Sequence, residues 1–306
     1  MGALASIIQA LPQEEAKPAP LSALVEVIES DLNAAISLLQ IQDIEDGESA
    51  IASTLQCLAN IGKRMQVPDD PYIDVESDDE SSVQHANTAS ALTFWISGAG
   101  AQVQSRILRC LEVISYVPNS GDTIYAACSV LRAGLTETQP GPFVFPPSAT
   151  VAFISKAELS TPRIEAILSL ACSFVSAYSR RSSPHVFDEV LAIYEVVIRV
   201  MTQLGTPTND PQVAQLCIDF IHRLLNSYLD VFLSPSDATI TDVIKFILLS
   251  MAGDATILKR TACSFLVSQL CLWLRHRSLT VSSGDFHWNG PPEQSNASSA
   301  EPHQGI

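Results

Sequence analysis

Residues 21–67 read LSALVEVIESDLNAAISLLQIQDIEDGESAIASTLQCLANIGKRMQV. Leu21, Leu24, Val25, Ile28, Leu32, Ile36 and Leu39 recur at three- and four-residue intervals, the spacing that lines one face of a helix. From Glu48 to Val67 the pattern returns with Ile51, Leu55, Leu58, Ile61 and Met65. Gly47 and its acidic neighbours predict a short turn between the two. Helix-length segments joined so closely must run antiparallel, so the stretch predicts one helical hairpin.

Outward from this hairpin the same rhythm continues. Apolar-periodic segments are predicted at Asn87–Ser97, Ala101–Val117, Asp122–Leu135, Ser148–Ala157, Pro162–Arg180, Val186–Leu204, Pro211–Leu233, Ser236–Met251 and Asp254–Arg277. Pro20, Pro68, Pro71, Pro118, Pro162, Pro184, Pro207, Pro211 and Pro235 fall between segments. Proline removes a helix donor and clashes with the preceding turn, so it gathers at helix starts and in connections. Thr161 before Pro162 and Asp210 before Pro211 are placed to cap helices. Alternating strand patterns are hard to find. The fold class expected is therefore all-α, and pairing neighbours gives a period near the ~40–47 residues of HEAT and armadillo units. That predicts an α-solenoid of HEAT-like antiparallel hairpins over residues 1–277, with a compact helical bundle as the competing arrangement.

Three segments break the rhythm. Residues 67–86 hold Asp69, Asp70, Asp74, Glu76, Asp78, Asp79 and Glu80 with no Lys or Arg, which predicts a disordered acidic loop. Residues 136–147 (TETQPGPFVFPP) form a proline-rich connection that carries Phe143 and Phe145. From Ser278 to Ile306 the chain turns to Ser, Gly, Pro, Asn and Gln, the composition of a disordered tail.

Composition narrows the function. The 306 residues are 47% hydrophobic and only 16% charged, with mean hydropathy +0.21, so helices must bury more than one side. Acidic residues outnumber basic ones 33 to 17, for a net charge of -16. Such a surface repels nucleic acid and anionic membranes and favours basic protein partners. The most apolar stretches, Ile164–Tyr178 and Val190–Leu204, are shorter than the ~18–20 residues a membrane span requires. The seven cysteines form no C-x-x-C pair and read as buried free thiols of a reducing compartment. Gly2 to Leu11 lacks the basic leader of a secretory signal.

Catalytic patterns find no support. The histidines His85, His185, His222, His276, His287 and His303 are scattered, without the H-E-x-x-H spacing of a zinc site. No Walker A loop or G-x-S-x-G elbow occurs, and Gly98-Ala99-Gly100 lacks the preceding strand of a dinucleotide site. The expectation is a non-enzyme without cofactor, metal or catalytic residue. The acidic residues Asp69 to Glu80 are either a solvated spacer or the contact for a basic partner.

One long stretch carries a resemblance. Residues 229–270 read LDVFLSPSDATITDVIKFILLSMAGDATILKRTACSFLVSQL. They resemble the C-terminal region of nuclear transport receptors of the importin-β superfamily, in the importin-13/transportin-3 branch. There a helix ends in a Phe-Leu pair, a second helix follows, and a third carries small and aromatic residues. Ala10 to Gln40 is similar to the segment in which a proline- and glutamate-bearing turn precedes a long Leu-rich helix, and Ile164 to Tyr178 to a later helix. The resemblance spans residues 1–277 and lies in the order of segments. It implies HEAT repeats that hold protein cargo, nucleoporin Phe-Gly repeats bound between outer helices, and residence in nucleus and cytoplasm. Ran GTPase binding is expected only where the family's N-terminal repeats are also present. The function expected is thus that of a karyopherin fragment in protein import. A HEAT-repeat scaffold subunit without a transport role is the alternative, and a small-molecule enzyme on a helical fold is the third.

Overall fold

The computed structural model describes residues 1–66, 94–95, 97–137, 140–180 and 186–282, and the side chains of 270–282 fall outside that description. The acidic loop 67–86, with Asp69, Asp70, Asp74, Glu76, Asp78, Asp79 and Glu80, therefore lies outside the described residues, as does 283–306 of the expected tail. Two compact units divide the chain, Met1–Phe265 and Leu266–Ile306. Among the described residues every regular element is a helix and none is a strand.

In chain order the α-helices are α1 (Gly2–Gln9), α2 (Pro18–Gln40), α3 (Ile44–Arg64), α4 (Ala99–Cys110), α5 (Gly121–Ala133), α6 (Pro147–Ile154) and α7 (Ile164–Arg180). They continue as α8 (Phe187–Leu204), α9 (Pro211–Ser227), α10 (Leu229–Leu233), α11 (Asp237–Ala252) and α12 (Thr256–Ser282). Short 3-10 segments lie at Glu14–Ala16 and Leu111–Tyr116. Residues 278–282, expected in the tail, continue α12.

The predicted first hairpin is present as α2 packed on α3. Leu21, Leu24, Val25, Ile28, Leu32 and Ala35 of α2 are buried, as are Ile51, Leu55, Leu58, Ala59 and Ile61 of α3. Pro18 and Pro20 sit in the first turn of α2, where the backbone N–H has no intrahelical partner to lose. The reversal is tighter than expected. It occupies residues 41–43, with Gln42 in the left-handed region at φ 67°, and Gly47 belongs to α3 instead of the turn. A Cβ at Gly47 would lie 2.5 Å from Cδ2 of Leu39, so the missing side chain lets α2 and α3 approach just after the turn. Glu45 and Asp46 in the first turn of α3, and Lys63 and Arg64 in its last, suit the helix dipole.

Within the first unit α3 packs on α5, α5 on α7, and α7 on α9, while α2 packs on α4 and α6 on α8. The central members are buried almost all round: α5 buries Ile124, Ala127, Cys128, Val130 and Leu131, and α7 buries Ile167, Leu170, Ala171, Phe174 and Val175. Helices apolar on every side must lie between others. Polar ties cross the same contacts. Arg132 of α5 donates to the Ser169 hydroxyl of α7 at 3.2 Å, and Arg223 of α9 donates to that of Ser176 at 2.5 Å. Arg199 of α8 donates to the carbonyls of Ser155 and Ala157 at 3.0 Å, closing the C-terminal end of α6.

One expected cap is present, and two boundaries differ from expectation. Asp210 caps α9 through the amides of Gln212 and Val213, both at 3.1 Å. Thr161 does not cap α7; its hydroxyl accepts from the Glu158 amide, and Arg163 at φ 55° turns the chain before the helix starts at Ile164. The segment Pro211–Leu233 divides at Tyr228, which leaves helical geometry (φ -142°, ψ 57°) between α9 and α10. Residues 140–147 of the connection belong to the core: Phe143 and Phe145 are buried, with ring centroids 6.0 Å apart. Gln104 of α4, itself buried, donates to the carbonyls of Gly141 and Val144 and holds that loop down. Trp95, fully buried, donates to Glu14, whose other oxygen accepts from Lys17 at 2.5 Å.

Candidate functional site

A hollow opens beside the 3-10 segment Leu111–Tyr116. It measures about 640 Å³ and lies between that segment, the N-terminal end of α5, the C-terminal end of α6 and the loop 160–162. Leu111, Ile114, Ile124, Phe153 and Ile167 form its apolar lining, with the carboxylate of Glu112 and the ammonium of Lys156 exposed beside them. The shape follows from the chain. The 3-10 winding of residues 111–116 ends α4, and the left-handed turn at Arg163 delays α7, so neither helix fills the space. Arg163 is held by ion pairs to Asp122 and Glu165, each at 3.5 Å. Apolar side chains of a partner fit such a cleft, with one acid and one amine to orient them.

A second groove of about 370 Å³ runs between α8 and α11, lined by Ile198, Met201, Phe246 and Leu249, with Asp242 and Lys245 paired at 3.1 Å beside it. The outer flank of α11 adjoining it exposes Ile244, Leu248 and Met251. Helical period alone does not single out this surface, because buried and exposed apolar residues share it. The signal was present: apolar residues at 240, 243, 244, 246, 247, 248, 249 and 251 cover an arc wider than one packing contact requires.

A partly exposed ion-pair cluster ties α4 to α2. Arg106 grips Glu29 from Nη2 at 2.6 Å and Nε at 3.1 Å, and reaches Glu26 at 3.3 Å. The hydrogen bond from Arg106 holds the Glu29 carboxyl below the usual carboxylate range. Burial pushes the Cys110 thiol up to about 11 and those of Cys128 and Cys172 to about 12, and pushes Cys217 in the same direction. Such thiols are poor nucleophiles and poor metal ligands. The six cysteines whose side chains are described are free. His222 is partly buried, its ring 5.9 Å from that of Phe265. Among the described residues no group of three or more His, Cys, Asp or Glu is placed to hold a metal. No described helix is long and apolar enough to cross a membrane.

No family model, curated protein or solved structure matches this chain.

Proposed function

We propose that this chain is a HEAT-type helical-repeat array that binds other proteins, and that it serves as the cargo-binding portion of a nuclear transport receptor. One observation carries the array. Between α6 and α8 and between α7 and α9 the polar ties span similar chain separations, 44 residues for Leu159 to Gln203, Cys172 to Leu216 and Arg199 to Ser155, and 47 for Arg223 to Ser176, while the tie from α5 to α7, Arg132 to Ser169, spans 37. A repeat of ~40–47 residues, each unit resting on the one before, is the period of HEAT-type stacking. Stacked units of this kind present extended binding surfaces.

The transport role rests on the resemblance of residues 229–270, 10–40 and 164–178 to importin-β superfamily receptors. The net charge of -16 supports a basic cargo. A scaffold subunit would share the array, so the experiment must separate the two roles. The purified chain is tested against immobilised Phe-Gly repeat peptide, GTP-loaded Ran and a basic cargo-like protein. The receptor reading expects weak capture on Phe-Gly repeats, little or none on Ran, and capture of the basic protein that is lost at high salt. Screening shortens from about 10 Å at 0.1 M salt to about 3 Å at 1 M, so a charge-driven complex should dissociate. Failure on Phe-Gly repeats with retained protein capture overturns the transport role and leaves the scaffold. Tight, GTP-dependent capture of Ran would mean that these residues do not correspond to the later part of a receptor.

A further inference from the structure

We propose that the outer flank of α11 is the docking site for a single amphipathic helix of a partner protein, with basic residues at both ends of that helix. The proposal rests on the protein-binding reading above and names the surface that does the binding. Residues Val243, Phe246, Ile247 and Ser250 are the buried side of α11. Ile244, Leu248 and Met251 stand at i, i+4 and i+7 on the neighbouring flank, exposed by 47%, 51% and 36%. That spacing forms one continuous ridge, and a stripe of this kind is what a second helix packs against.

The charges around the stripe choose the occupant. Asp237, seven residues before Ile244, lies on the same line at the start of α11, and Asp254 follows its C-terminal end. Both are exposed, and the line Asp237, Thr241, Ile244, Leu248, Met251 contains no cation. Lys245, the one basic residue of α11, stands beside this line, three residues before Leu248, with its ammonium paired to Asp242 at 3.1 Å. From Asp237 to Met251 the helix rises about 21 Å, roughly four turns, with Asp237 at the start of the line and Asp254 two residues beyond the last helical residue, Ala252. A second copy of this chain fits poorly. Paired parallel, Asp237 would meet Asp237; paired antiparallel, Asp237 would approach Asp254. Either register sets like charges together, which a specific interface avoids. A helix with Leu-type anchors and a Lys or Arg near each end meets both features of the flank.

The test uses the full chain and a fluorescein-labelled 18-residue helical peptide with Leu at i, i+4, i+7 and i+11 and Lys at both ends. A second peptide carries Glu in place of each Lys. Fluorescence anisotropy at 0.1 M salt should show the Lys-ended peptide binding at least about ten-fold tighter than the Glu-ended one. Leu248→Glu, and independently Ile244→Glu, should weaken the Lys-ended peptide by about ten-fold or more while the thermal melt stays unchanged, because both side chains are exposed. Asp237→Asn with Asp254→Asn should cost about three- to ten-fold at 0.1 M salt, and that gap should close at 1 M. Equal affinity for the two peptides, wild-type binding by both Glu variants, or no binding of the Lys-ended peptide overturns the proposal. So does a concentration-dependent dimer in sedimentation equilibrium that Leu248→Glu abolishes, since the occupant is then a second copy. Capture of the basic protein that persists in Leu248→Glu rejects this surface while leaving the protein-binding reading intact.

Discussion

Gly62 of α3 and Phe143 of the 136–147 connection share one volume: a Cβ on residue 62 would lie 2.8 Å from Phe143 Cδ1 and 2.8 Å from the Ala133 Cβ. The buried ring rests directly on the backbone of α3. Gly62→Ala should gain about 1 kcal/mol in helix propensity and lose about 1–3 kcal/mol to overpacking. The net expectation is destabilisation by about 1 kcal/mol in denaturant unfolding, shrinking in a Phe143→Ala background where the ring is gone. A raised midpoint for Gly62→Ala alone would show that the ring does not sit there.

Tyr194 of α8 is fully buried, and its hydroxyl has no hydrogen-bond partner among the described residues. Burial drives its pKa up to about 12. An unmatched buried hydroxyl costs about 1–3 kcal/mol, while the ring's contact with Phe232 at 6.0 Å needs no oxygen. Tyr194→Phe should therefore raise the urea midpoint, by about 1 kcal/mol of stability, with the slope unchanged. A loss of stability would reveal a partner for the hydroxyl.

Stability at acid pH should depend on Glu29 and Asp219 in opposite senses. The hydrogen bond from Arg106 depresses the folded-state pKa of Glu29, so its contribution is present above the unfolded value and lost as pH falls through the folded one. Desolvation raises that of Asp219, against the opposing pull of Arg223 and His222. Its contribution is present below the unfolded value and lost as pH rises through the folded one. Glu29→Gln should flatten the acid limb of a stability–pH curve, and Asp219→Asn should steepen it and lift the neutral plateau. Unfolding midpoints between pH 3 and 7 give both answers, and identical slopes for the two variants would contradict the assignment.

Native thiol labelling should follow burial. Cys263 is exposed and Cys57 partly so, whereas Cys110, Cys128, Cys172 and Cys217 are buried with raised pKa values. A thiol pushed to about 12 is thiolate in only about one molecule in ten thousand at pH 8. Iodoacetamide should modify Cys263 first and Cys57 more slowly, and reach the buried four only on unfolding. Peptide mapping by mass spectrometry reads the order. Early modification of Cys128 or Cys172 would mean that α5 or α7 is open to solvent.

Helix existence was legible in the residues; the way the helices end was not. The periods of α2, α3, α7 and α9 follow from one apolar face meeting a neighbour, and any neighbour imposes the same spacing. Asp210 was legible as a cap because it needs only its own helix. Gly47 was read as a turn, since glycine favours turns, yet its place is set by Leu39 of the facing helix. Thr161 and Pro162 looked like a helix start, but the hydroxyl bonds the Glu158 amide and the chain turns at Arg163. The Pro-rich connection looked peripheral, while Gln104 and the contacts of Phe143 make it core. The acidic residues from Asp69 to Glu80 lie outside the described residues, and the exposed flank of α11 emerged only once its other side was seen buried against α8.

The sequence by itself determined that this chain is helical, where most helices lie, and that it carries a net charge of -16, because propensity, apolar period and net charge are properties of the chain alone. Only the tertiary structure decided which helix rests on which, why Gly62 must lack a side chain, and which apolar residues of α11 stay in water. Those outcomes depend on contacts between residues far apart in the chain. An apolar period shows that a face will be buried, and only the packed neighbour shows which face is left over.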